Sequence, residues 1–119
     1  MRNTTAITIL LLFALPFLTA CSKKSDNGGG ATADCSTVNN KAFAADITPI
    51  FQANCSLAGC HASGSNSGPG ALVTYAQISS AKSSIRASVV NGSMPQGRSL
   101  TAAQKNSIIC WIDSGAPNN

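Results

Sequence analysis

A chain of 119 residues is at most one domain, and this one carries eight Lys and Arg against four Asp, no Glu, and a formal net charge of +4. Its basic residues never run longer than two and aromatics make up 5 %, so a nucleic-acid partner is not expected. With one histidine and no glutamate, no Ser/His/Asp set or carboxylate pair can be drawn, so neither an enzyme nor a small-molecule substrate is expected.

The chain opens with Arg2 and an apolar run over residues 6–18, which has signal-peptide length and contains Pro16. The run is short for a bilayer span. It ends in Leu18-Thr19-Ala20-Cys21, which resembles the lipobox of bacterial lipoproteins. That resemblance implies a signal peptide over 1–20, export, and a lipid on Cys21 that anchors the protein to the cell envelope. The competing readings are an ordinary secretory signal and an uncleaved anchor. Ser22, by resemblance to lipoprotein sorting rules, favours the outer membrane, with the domain facing the periplasm or the cell surface. Residues 21–33 then hold the lipidated cysteine and a polar, glycine-rich tether with a reach of roughly 20 Å.

Residues 34–119 form the expected domain. With a single Trp and a single Tyr it is short of large apolar side chains, and small domains often need a staple, a metal or a cofactor. The first helix is predicted to start at Asp46 as N-cap, with Pro49 in its first turn. Ile47, Ile50 and Phe51 share one face of it. This helix delivers the chain into Cys55-Ser56-Leu57-Ala58-Gly59-Cys60-His61, and that His is the only one in the chain.

A Cys-x-x-Cys-His run is the usual attachment signal for c-type haem. Two thiols bind the haem covalently, and the adjacent imidazole is thereby placed under the iron. Here four residues separate Cys55 from Cys60, a spacing similar to variants in some bacterial cytochromes. The competing reading is a Cys55–Cys60 disulfide with His61 at the surface, since exported cysteines usually pair. Zinc fits less well, because two cysteines and one histidine leave a fourth ligand to find.

Residues 62–70 read as loop. Thr74 caps a short helix over 75–80, and Ser83 or Ser84 caps another whose apolar face is Ile85, Val89 and Val90. Asn91-Gly92 ends that helix. Met94, the one internal methionine, follows in a loop with Pro95. Arg98 reads as a solvated loop arginine, with contact to a haem propionate as the competing reading, and is not counted in the site. Thr101 and Gln104 match a capping box, which opens a last helix carrying Ile108, Ile109, Cys110, Trp111 and Ile112. Gly115 ends it.

Ile47-Thr48-Pro49-Ile50-Phe51, Cys60-His61, Tyr75, Met94-Pro95, Leu100-Thr101, Trp111-Ile112 and Gly115-Ala116-Pro117, in that order, resemble the small cytochrome-c-like domains of bacterial lipoproteins. The resemblance covers nearly all of residues 43–119 and implies an all-α bundle of three to five short helices around one covalently bound haem. It implies Cys55 and Cys60 as thioether attachments, His61 and Met94 as the axial pair on iron, and Trp111 packed near the haem edge. It further implies that the termini lie close together, so that Cys35 and Cys110 pair. The function implied is electron transfer between redox partner proteins. Two other readings stay open on the residues alone: a haemless, disulfide-stapled lipoprotein acting as a binding module, and a protein that binds copper or another metal through His61, Met94 and thiols.

Overall fold

Two capping boxes set the limits of the helices. At Thr74 and at Thr101 the hydroxyl accepts from the N–H three residues on, and Gln77 or Gln104 returns a side-chain bond to the cap's own N–H. They open α2 (Tyr75–Ser80) and α4 (Ala102–Asp113). Between these runs α3 (Lys82–Asn91), and α1 (Thr48–Asn54) precedes them. The computed structural model describes residues 33–119, and within them every regular element is helical, with no strand. The signal segment, Cys21 and the tether through residue 32 lie outside the described residues.

The first helical segment begins earlier than Asp46. A single π-helical turn over Phe43–Ile47 runs directly into α1, with Ala42 as its N-cap. Alanine has no side chain to cap with, and Asp46 reaches back to the Ala42 N–H (2.9 Å). The far end of the chain supplies the rest: Asn119 Oδ1 accepts from the Phe43 N–H (2.9 Å) and the Asn119 carbonyl from the Ala44 N–H (2.8 Å). These N–H groups would otherwise go unpaired at a helix start. Neither Ser83 nor Ser84 caps α3, because α2 passes into it through Ala81 alone. At its other end α3 stops on Gly92, whose φ of +75° suits a residue without a Cβ.

The core is built around Ile47, Phe51, Ile78, Ile85, Val89, Ile108, Ile109 and Trp111, all buried, with Phe43, Leu72, Ile112 and Ala116 completing it. Burying each such side chain contributes on the order of 1.5–3 kcal/mol. Helix α4 is central, packing against α3 on one side and the π-helical turn on another. After α4 the tail turns back through Ala116, which is fully buried. Its carbonyl accepts from Tyr75 Oη (2.9 Å), and the Pro117 carbonyl accepts from Trp111 Nε1 (2.9 Å). A disulfide joins Cys35 to Cys110, pinning the start of the domain to α4 across 75 residues of sequence. Arg86 and Asp113 form a two-bond ion pair between α3 and α4 (2.6 and 2.8 Å). Both groups are well exposed, so the pair is worth at most about 1 kcal/mol.

Candidate functional site

Helix α1 ends where the cysteine motif begins. The Cys55 and Ser56 N–H groups both bond to the Phe51 carbonyl (2.8 Å each). The additional residues of the motif close into a turn: the Cys60 N–H bonds to the Leu57 carbonyl (2.9 Å), with Gly59 at φ +80°. The wider spacing is absorbed in that turn, and the His61 N–H still reaches the Cys55 carbonyl (3.1 Å).

His61 is held at three points. Besides its own N–H, its carbonyl accepts from the Leu72 N–H (2.9 Å), and its ring Nδ1 lies 2.8 Å from the Gly70 carbonyl. A carbonyl only accepts, so Nδ1 carries the proton. In the neutral ring Nε2 then keeps its lone pair, and it has no hydrogen-bond partner among the described residues. An imidazole oriented by a backbone carbonyl on one nitrogen, with the other free, is the usual arrangement of a metal-binding histidine. Gly70 has φ +86° and Gly68 has φ +53°; a Cβ on Gly68 would stand 3.8 Å from the His61 ring. The glycine-rich loop thus lies close over the imidazole.

His61 lines a cavity of about 310 Å³, at the small end of the roughly 300–1,000 Å³ found for ligand pockets. One side comes from the end of α1 and the motif: Phe51, Asn54, Cys55, Gly59 and Cys60. The loop after His61 adds Pro69 and Leu72, α3 adds Ile85, Ser88 and Val89, and α4 adds Ile108. The loop between α3 and α4 adds Met94, Pro95 and Leu100. No Asp, Glu, Lys or Arg lines it. Four of the residues singled out from sequence, Cys55, Cys60, His61 and Met94, therefore meet at one cavity.

The two motif cysteines are free thiols, Cys55 half-buried and Cys60 exposed. Burial, with a smaller push from Cys60, raises the Cys55 thiol to about 11, so it is protonated at neutral pH. Among the described residues no group of three or more His, Cys, Asp or Glu side chains is arranged to hold a metal ion.

Trp111 lies in the core beside the tail. It does not line the cavity. It is fully buried one turn beyond Ile108, against Phe43 at 5.5 Å between ring centroids, with its N–H on the Pro117 carbonyl. The physical reason is the π-helical turn and the returning tail, which together enclose the ring and satisfy its one donor. Sequence reasoning missed Gly70 and Leu72, which position His61, because both act through backbone groups that leave no side-chain signal. It also missed the apolar lining by Leu72, Ile85, Val89 and Ile108 as a set, since a core face and a cavity wall have the same periodicity.

No family profile, curated protein or solved structure matches this chain. No helix among the described residues is long and apolar enough to cross a membrane.

Proposed function

We propose that residues 34–119 are a monohaem c-type cytochrome domain that carries single electrons between partner proteins. The observation that carries the reading is the convergence on one uncharged cavity of two free thiols, a histidine with a free, pre-oriented Nε2, and a methionine. This donor set fits haem. An iron already held by four macrocycle nitrogens asks the protein for only the two donors that His61 and Met94 offer.

Haem, when bound, supplies the iron whose one-electron change is the reaction. Cys55 and Cys60 would hold the group covalently through their thiols. His61 would offer Nε2 to the iron, and its Nδ1–H bond to the Gly70 carbonyl keeps the ring from turning. Met94, which lines the same cavity, would offer the other protein donor, a neutral thioether that favours the ferrous state. Leu72, Ile85, Val89 and Ile108 exclude water and lower the local dielectric.

The deciding experiment is a peroxidase-type haem stain of protein produced in a host with cytochrome c maturation. One haem that acid–acetone does not extract is expected, and Cys55→Ala with Cys60→Ala is expected to abolish the covalent bond entirely. Colourless, correctly exported protein with a Cys55–Cys60 disulfide sinks the reading. The lipid anchor is a separate proposal, carried by Leu18-Thr19-Ala20-Cys21. Cys21→Ala is expected to move the protein from the membrane fraction to the soluble fraction or to leave it unprocessed, and an intact-mass measurement of the unmodified protein without acyl chains counts against it.

A further inference from the structure

Met94 sits in the loop between α3 and α4, and a thioether is a weak ligand that binds only where its loop is held. The first half of that loop is fixed to α3 itself. The Ser93 N–H bonds to Asn91 Oδ1 (2.9 Å) and the Met94 N–H to the Ser88 carbonyl (3.2 Å). The loop's far end is fixed at Thr101 by the capping box of α4. Between these anchors, among the described residues, residues 95–100 make one hydrogen bond: Arg98 Nη1 donates to the Ala53 carbonyl (3.4 Å).

Ala53 lies in the last turn of α1, where carbonyls have no helical N–H to pair with, and basic side chains commonly bond such carbonyls. The next two residues, Asn54 and Cys55, line the main cavity. Packing does not cover the loop on every side: an open groove borders it, lined by Met94, Pro95, Arg98, Leu100 and Lys105. Lys105 does not hold the loop, because its ammonium is engaged with the Val90 carbonyl (3.1 Å) at the end of α3.

We infer that Arg98 is a positioning residue for Met94: it ties the methionine loop to the helix that delivers Cys55, and so keeps the thioether in the main cavity. The inference rests on the haem reading above. Arg98 is exposed, and its removal leaves the core untouched.

The test uses full-length, haem-loaded protein. Arg98→Met keeps the apolar stem and removes the donors; Arg98→Lys restores one. For Arg98→Met, carbon monoxide should bind the ferrous form about threefold more readily, in keeping with the loss of one long, exposed hydrogen bond. The sulfur-to-iron charge-transfer band of the oxidised form should weaken, while covalent haem and the melting midpoint hold steady. Arg98→Lys should recover most of the band. An Arg98→Met protein indistinguishable from the unmodified one overturns this inference alone. A weakened band that tracks a fall in melting midpoint, equally in both variants, also overturns it. Unmodified protein that is colourless or binds carbon monoxide freely overturns the parent reading, and this one with it.

Discussion

Met94→Ala is expected to lower the reduction potential by on the order of 0.1–0.3 V, a sizeable part of the ~0.8 V that axial ligands command. The sign follows from the ligand. A neutral thioether favours the ferrous state, and alanine offers the iron nothing in its place. The chain has no second histidine to substitute, and the cavity lining contains no carboxylate or amine. The vacated position is then open to carbon monoxide or cyanide, and the charge-transfer band disappears. Redox titration and ligand binding on the same sample check both halves. If the unmodified protein already binds carbon monoxide readily, and the variant's spectrum does not change, Met94 is a lining residue only. The domain would then read as a sensor or a small-ligand binder.

Breaking the Cys35–Cys110 link is the second large effect. The bond closes a loop of 75 residues, and the chain-entropy relation gives about 4 kcal/mol for a loop of that size. Total stability for a domain is only about 5–15 kcal/mol. Cys35→Ser with Cys110→Ala is therefore expected to lower the melting midpoint by roughly 20 °C, at about 4–8 °C per kcal/mol for a domain this small. Thermal denaturation followed by circular dichroism measures it. The Cys110 side is buried in α4, and the replacement also removes packing there, so a fall of only a degree or two would mean that the link contributes nothing to the domain's stability.

Much of the helical frame was legible because it is written in local chemistry. Thr101 and Gln104 announce α4, Thr74 announces α2, and Gly92 marks where α3 stops; the first two act through bonds between neighbours along the chain, the last through its own backbone angle. The start of the first helix was not legible for the opposite reason. Its cap comes from Asn119, at the other end of the domain, and Asp46, which looks like a local cap, instead bonds back to Ala42. Trp111 illustrates the same limit. Its position in α4 follows from periodicity, but whether it meets the cavity or the tail depends on where the tail returns. The site divides likewise. Cys55, Cys60, His61 and Met94 could be picked out by type and order, whereas the Gly70 carbonyl and the Arg98 tie exist only once distant segments have met.

The bonds from Phe43 and Ala44 to Asn119, taken with the Cys35–Cys110 link, have a consequence for timing. A ribosome releases a chain N-terminal end first. The first helical segment emerges without its cap and waits for residue 119, and Cys35 waits for Cys110. Closing contacts across such separations is slow beside forming a local helix. The start of the domain therefore stays open until the segment that carries Cys110 and Asn119 has been made. Late closure also leaves Cys55 and Cys60 accessible until the walls of the cavity around them come together. The clock for folding of this domain is set by the segment from Cys110 to Asn119.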